Sequence, residues 1–458
     1  KVQLQRFAYL AQKGTVLMSS SKAVTTQSRR RFLRNSAYAT AFFIVPRHVL
    51  GRGFLAPSDK KTLAFIGCGK QSSYLCNAFM RQPNVQMVAA CDVYAPKLER
   101  MRKQINDYYA EKNSQPEYNS CKPYADHRDI LRDGSIDAVV IATPDHWHAV
   151  MTVKACEAGK DVYCEKPLSL TVAEGRAMVK AARKHGRVVQ TGSMQRSSEE
   201  FRKAVELVRN GYIGKITSVE VNIGPPVRAY DLGEETTPEG LDWQQWLGPN
   251  KVFRAYNKEL APDLEYEKKI WPNWRNYTDF GGGMMTDWGA HMFDIAQWGL
   301  DMDNSGPVSL QVPGPGAKGG LVYTYANGIT MTHRLLTSGT APYCKFIGEA
   351  GEVYVQRGKL LTTPDDLKDK TLTDADKRVY TSNDHYADFV TAMDSRKPPI
   401  CDVETGHRSA TIGNIGNIAY LLGRSLTWDP DRERFKVDRE ANGMLTRDIR
   451  KEWRIKGV

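Results

Sequence analysis

Long apolar runs are missing from this chain of 458 residues. The longest, residues 37–45, is about half the ~18 residues that a membrane-spanning helix needs, so a helical span is excluded. Paired cysteines are missing too. The eight cysteines, at 68, 76, 91, 121, 156, 164, 344 and 401, form no Cys-x-x-Cys and keep no regular spacing. That pattern speaks against a zinc ribbon and a disulfide framework. Several cysteines, such as Cys91 after Met87-Val88-Ala89-Ala90, sit in strand-like runs and read as small buried hydrophobes. Acid is nearly absent from the first sixty residues, where Asp59 faces eleven Lys and Arg. Of the formal net charge of +12, that segment carries +10 and residues 61–458 only +2. A nucleic-acid surface needs base clustered on the folded body, and this distribution excludes that class of partner.

What is present is globular composition. Hydrophobic residues at 41% and charged residues at 25% exclude a mainly disordered or coiled-coil chain. The length suits two or three domains.

The basic segment has its own pattern. Ser28-Arg29-Arg30-Arg31-Phe32-Leu33-Arg34 precedes the short apolar stretch 37–45 and Pro46. Paired arginines, Phe-Leu and a weak apolar region resemble a twin-arginine export signal, which implies a periplasmic or exported protein. The alternative is a plain basic tail and a cytoplasmic protein. Met18 is a plausible start, residues 1–17 then reading as a tag or a misplaced start, and the mature chain is expected to begin between Gly51 and Lys60. Such a route carries folded proteins, which suits an enzyme that holds a cofactor.

Residues 62–66, Thr-Leu-Ala-Phe-Ile, read as a buried parallel strand. They run straight into Gly67-Cys68-Gly69-Lys70-Gln71-Ser72 and a helix. The first glycine of such a turn bends the chain, the second lets backbone approach a pyrophosphate, and the helix N-terminus supplies amides and positive dipole. Serine stands where Gly or Ala is usual. A second strand, residues 85–91, ends at Asp92, 25 residues past Gly67, where an acid meets a ribose 2′-hydroxyl. Asp92 would repel a 2′-phosphate and no arginine follows it, so NAD is expected ahead of NADP. Further strands, 136–142, 162–164 and 187–191, alternate with helices, the pattern of a doubly wound parallel sheet. Two polar clusters, Thr143-Pro144-Asp145-His146-Trp147-His148 and Glu165-Lys166-Pro167, follow carboxyl ends of strands, where such sheets bind ligands.

Those two clusters, after a Gly-x-Gly strand turn, resemble the Gfo/Idh/MocA oxidoreductase family over residues 60–430. The resemblance implies an α/β fold: an N-terminal Rossmann domain, then an α/β domain with a large open, mainly antiparallel sheet that often mediates oligomerisation. The expected boundaries are 1–58 for tag, signal and linker, 59–192 for the Rossmann domain, 193–430 for the second domain and 431–458 for a surface tail. Helix 406–422 is expected to return to the first domain. Candidate strands of the second sheet are 215–223, 320–325, 329–335, 345–348 and 352–356. A dimer or tetramer follows at family level.

The resemblance also implies a catalytic trio, Lys166 with Asp287 and His291. On residues alone, Asp287-Trp288-Gly289-Ala290-His291 is equally a capping acid and a core histidine; spacing i,i+4 puts both on one helix face. As a trio, His291 would take a hydroxyl proton, Lys166 would polarise the same oxygen and Asp287 would orient the pair or hydrogen-bond a neighbouring hydroxyl. The expected cofactor contacts are Gly67, Gly69, Lys70, Gln71, Ser72, Asp92, Thr143, Pro144, Asp145, His146, His148, Glu165, Lys166 and Gln195. No metal is expected, since His146 and His148 lie on a cofactor turn without a further ligand cluster. Residues 225–280 form an aromatic-rich insertion suited to stacking on sugar rings, or simply to packing a long loop. Within it Trp274, Arg275 and Asn276 are the expected substrate contacts, joined by Lys166, Asp287 and His291.

The expected activity is NAD-dependent oxidation of a ring hydroxyl on a carbohydrate or cyclitol. An exported enzyme has no free NAD pool, which favours a captive cofactor. Two alternatives stand. One is a glycosidase that oxidises, eliminates and returns the hydride, a group in which the Glu-Lys-Pro lysine becomes apolar. The other is a sugar-binding protein with a vestigial nucleotide site.

Overall fold

The computed structural model describes residues 59–456. The export-signal reading at 28–46 and the whole of 1–58 lie outside them. The first half alternates strand and helix: β1 (Lys61–Ile66), α1 (Lys70–Met80), β2 (Val85–Cys91), α2 (Ala95–Asn113), β3 (Lys122–Tyr124), α3 (His127–Arg132), β4 (Ala138–Ile141), α4 (Asp145–Glu157), β5 (Asp161–Cys164), α5 (Val172–His185) and β6 (Val189–Thr191). Each helical crossover makes the next strand parallel. The strands pair in the order β3-β2-β1-β4-β5-β6. Helices cover both faces, so the central strands are continuously apolar, as in β4, where all four residues are buried. Strand order reverses between β1 and β4, and the crevice at their carboxyl ends is where such sheets bind ligands.

A 3₁₀ turn, Met194–Ser197, leads into α6 (Glu199–Arg209) and β7 (Ile216–Ile223). The insertion carries α7 (Trp243–Leu247) and α8 (Leu264–Lys269) before α9 (Gly283–Asp287) and α10 (Gly289–Gly299). Then come β8 (Ser309–Gln311), β9 (Val322–Thr324), β10 (Thr330–Leu335), β11 (Tyr343–Gly348), β12 (Gly351–Gln356) and β13 (Lys359–Thr363). The chain closes with α11 (His385–Ser395), α12 (Val403–Leu422), β14 (Leu426–Asp429), β15 (Arg434–Phe435) and α13 (Arg439–Gly443). The second sheet has nine strands, β13-β12-β11-β7-β10-β9-β8-β14-β15, antiparallel throughout except for the β7–β10 pair.

One face of that sheet presents Val219, Val221, Met331, Cys344, Phe346, Val353 and Val355 to a core shared with Phe201, Ala204, Val205 and Val208 of α6. The i,i+3,i+4 spacing on α6 puts those apolar residues on one stripe. Helix α12 packs against α5 of the first domain and α10 of the second. The C-terminal run, read from sequence as a charged surface tail, supplies the last sheet strand. It also places Trp453 edge-on over Trp147, with ring centroids 4.8 Å apart. Its apolar residues Phe435, Ala441, Ile449, Trp453 and Ile455 are buried, which draws an otherwise charged segment onto the body.

Candidate active site

A cavity of about 790 Å³ runs from the carboxyl ends of β1, β2, β4 and β5, under the insertion, to α9, α10 and the β12–β13 hairpin. At its first end Gly67 has φ +90°, and a Cβ there would stand 2.8 Å from the Ala142 carbonyl oxygen, so the bend admits only glycine. Gly69 caps α1 without a side-chain hydrogen bond, leaving the helix N-terminus to the cavity. The Asp92 carboxylate accepts from the Cys68 amide at 2.6 Å and the Tyr94 amide at 2.8 Å. Burial raises its pKa against those two hydrogen bonds. Lys70 Nζ donates to the carbonyls of Glu267 and Ile270 and lies 5.0 Å over the Trp271 ring. Gln71, Thr143, Pro144 and Asp145 also line the cavity.

Four expected cofactor contacts stand behind the lining. Ser72 Oγ donates to the Gly67 carbonyl at 2.6 Å, a bond within the turn that explains how serine is tolerated there. His146 Nε2 lies 3.0 Å from the Trp246 carbonyl and packs on Trp246 and Phe280. His148 sits between the carbonyls of Pro167 and Thr143. Burial lowers both imidazoles, to about 3 and about 4, so both are neutral supports. Gln195 is buried against Met292, and its neighbour Met194 reaches the cavity instead. The two histidines thus serve separate backbone partners, and no group of three metal-ligating side chains occurs among the described residues.

At the other end Lys166, from the turn after β5, is ion-paired with Asp287 Oδ1, and its Nζ lies 3.3 Å from the Asp287 carbonyl. Arg275 Nε stands 3.7 Å from Asp287 Oδ2. Burial alone would raise the Asp287 carboxyl, but these two cations outweigh it and hold it well below the usual range. Burial, then Lys166 and Arg357, push the His291 imidazole well below its ordinary value, leaving it neutral. Burial raises Asp145 well above a normal carboxylate and Glu165 to about 7. The Glu165 Oε1 atom is buried without a partner among the described residues.

Asp287 and His291 do not share one continuous helix. Asp287 ends α9 and His291 lies in the first turn of α10. The Trp288 carbonyl between them accepts from both His291 and Met292, tightening the turn to 3₁₀ type where the helix restarts. The two side chains nevertheless stay close enough to influence each other electrostatically.

The insertion divides between packing and lining. Trp243, Tyr256, Tyr277 and Phe280 belong to a small core, Trp246 and Trp274 belong to that core and also line the cavity, and Trp271, Arg275 and Asn276 line it. Arg275 stacks over Trp274 at 4.4 Å. Sequence reasoning missed Glu267 and Arg357. Glu267 lies in the polar helix Leu264–Lys269, which reads as solvated, yet its side chain is 3% exposed and pairs with Lys97 and Arg100 of α2. Arg357 occupies a hairpin tip, and its guanidinium Nη2 is 3.0 Å from His291 Nε2 and its centre 4.5 Å over Trp288.

Comparison with known proteins follows the same division. Residues 61–193 match the family model described as oxidoreductase family, NAD-binding Rossmann fold, and residues 213–455 match its C-terminal alpha/beta domain. A glycosyl hydrolase family 109 protein of Stenotrophomonas maltophilia is 28% identical over 51% of this chain and 52% of that relative. An inositol 2-dehydrogenase of Salmonella typhimurium is 30% identical over 34% of this chain and 43% of the relative. The chain thus spans about half the length of these curated relatives. The crystal structure of myo-inositol dehydrogenase from Lactobacillus casei in complex with NAD(H) and myo-inositol superposes with a TM-score of 0.54 at 17% identity. It covers 81% of this chain and 97% of that one, a likeness of fold. With both domain models matched in order across most of its length, the chain belongs to the Gfo/Idh/MocA oxidoreductase family.

Proposed function

We propose that this protein is an NAD-dependent oxidoreductase acting on a ring hydroxyl of a sugar, glycoside or cyclitol, with the dinucleotide held tightly. The observation that carries the reading is the meeting of Lys166, Asp287 and His291 at one end of a cavity whose other end is the Gly67–Gly69 turn and Asp92. The cradle at Gly67, the uncapped start of α1 and the partnerless Glu165 Oε1 fit a nicotinamide dinucleotide. When bound, that group supplies the hydride acceptor. The chain supplies the rest. His291, neutral, takes the hydroxyl proton. Lys166 donates to the oxygen as negative charge builds on it. Asp287 fixes the ammonium by its ion pair, and Trp274 with Arg275 walls the substrate end.

Asp92 supports NAD over NADP, because a 2′-phosphate would meet its carboxylate and, nearby, that of Glu267. The residue pattern at 28–46 supports export. The family resemblance supports a homo-oligomer, for which the open outer face of the second sheet, with Thr330, Thr332, Lys345 and Tyr354, is the available surface. The similarity to glycosyl hydrolase family 109 proteins favours a second reading, a redox-neutral glycosidase; Lys166 speaks for net oxidation.

The deciding experiment is to denature purified protein, with no nucleotide added, and quantify the nucleotides released. Near one equivalent of NAD(H) per chain is expected. An empty protein that oxidises sugars with added NAD would remove the captive cofactor, and one that neither holds nor uses a nucleotide would overturn the reading.

A further inference from the structure

Three cations line the substrate end of the cavity: Lys166, Arg275 and Arg357. Asp287 serves the first two. Arg357 has no carboxylate within ion-pairing distance among the described residues. Its guanidinium carries five N–H donors, yet its one hydrogen bond among the described residues runs from Nη2 to His291 Nε2. The residue as a whole sits exposed at the hairpin tip, while the guanidinium reaches in over Trp288 and is partly desolvated there. The nearby acids do not balance it. Burial holds Asp145 and Glu165 toward their neutral forms, which leaves three cations facing one firmly ionised carboxylate, Asp287. A site with surplus positive charge and a free guanidinium fork is complementary to an anionic oxygen group.

The contact to His291 adds a second argument. A guanidinium has no acceptor, so His291 Nε2 must accept, and the ring proton resides on Nδ1, which is buried without a partner among the described residues. With Arg357 in place neither nitrogen can take a proton from a hydroxyl. A ligand anion that draws Arg357 away would return the Nε2 lone pair, and the hydroxyl O–H bond could then break with its proton passing to Nε2.

We infer that the substrate is an anionic sugar or cyclitol, bearing a carboxylate or a phosphoryl group, and that Arg357 receives that group and in doing so releases His291. The inference rests on the oxidoreductase reading for its chemistry but not for the anion site itself.

The test compares kcat/KM of the holoenzyme, with free NAD or an artificial dye acceptor present to reoxidise the bound nucleotide, on D-glucuronate, D-glucose 6-phosphate and D-glucose. One anionic substrate should exceed glucose by about 10- to 100-fold, the range of a charge-assisted hydrogen bond. Which of the two leads tells carboxylate from phosphoryl group. Arg357→Met should collapse that ratio towards one from both sides, by a higher KM for the acid and a higher kcat for glucose now that His291 is free without an anion, and Arg357→Lys should restore part of it. A wild-type preference for glucose, or a ratio that survives in Arg357→Met, overturns the inference. Calorimetric binding of the same compounds to the holoenzyme separates the two readings. Anion binding that is lost in Arg357→Met, without turnover of any sugar, keeps the anion site and removes the oxidoreductase reading. Absence of anion binding removes the site whatever the activity.

Discussion

Glu267 Oε1 lies 2.7 Å from Lys97 Nζ, although 170 residues of chain separate them. Its other oxygen is 2.6 Å from Arg100 Nη1, and that arginine also donates to the Cys68 carbonyl inside the glycine turn. A buried carboxylate from the insertion thus clamps the segment Leu264–Lys269 onto the dinucleotide end of the cavity. Removing one member of such a buried set costs about 3–5 kcal/mol, and here part of that cost falls on closure of the segment. Glu267→Gln is expected to raise the dissociation rate of NADH about 10-fold or more, measured by stopped-flow displacement. An unchanged rate would show that the segment does not retain the cofactor.

Lys166→Ala should lower kcat by about 10³-fold while leaving the nucleotide content per chain as in wild type, since the oxygen-stabilising donor is lost and the glycine turn is untouched. Turnover and released NAD(H) are measured on the same preparation. Activity persisting near wild type would remove Lys166 from the chemistry.

Glu165 offers a test by pH. Burial raises its folded pKa from 4.5 to about 7, so between those values the folded state binds more protons than the unfolded one. Stability should therefore fall as pH rises through that window, by about 3 kcal/mol from this group, and level off above it. Urea unfolding of wild type against Glu165→Gln, from pH 4.5 to 8, should give a difference that grows with pH. A parallel pair of curves would contradict the shift.

Arg196, 2% exposed, makes paired bonds to both Asp294 and Asp303, and Ser409 Oγ donates to Asp294 at 2.6 Å. Arg196→Met strands two carboxylates and should destabilise by about 3–5 kcal/mol in urea unfolding, whereas Arg196→Met with Asp294→Leu should regain part of the loss. Equal stability of the single and double variants would mean the cluster is not coupled.

The dinucleotide half was legible because its chemistry is local. A glycine that must bend, a helix start and an acid at the next strand end all lie within one βαβ unit, and each follows from backbone sterics or dipole. The Lys166, Asp287 and His291 set came from resemblance, since i,i+4 spacing alone is silent on partners, and it assumed a continuous helix that restarts at Trp288. Glu267 and Arg357 were not legible. One sits in a run of Glu and Lys that mimics a solvated helix, the other beside a hairpin glycine. Their partners are chosen by tertiary packing across long sequence separations, which neither periodicity nor propensity records. Composition could not separate the two readings of the aromatic insertion, stacking on a ligand or packing a loop, for the same reason. Trp243 and Trp246 stack on each other at 4.6 Å, so much of its ring surface is spent on itself.

Helix α12 and its ion pairs bear on how the cavity admits its ligands. Arg176 of α5 holds Glu404 of α12 and Glu433 beyond it, and Arg183 bonds Asp402 at the α12 N-cap. With Ser409 joined to the Arg196 cluster, one helix is bolted to both halves of the body. Such bracing opposes a clamshell hinge between the two sheets. Entry and exit then fall to the covering segment alone, and the enzyme would breathe through a hatch. Hydrogen exchange checks this: amides of Leu264–Lys269 should exchange well before those of Val403–Leu422, and equal rates in both would point to a hinge.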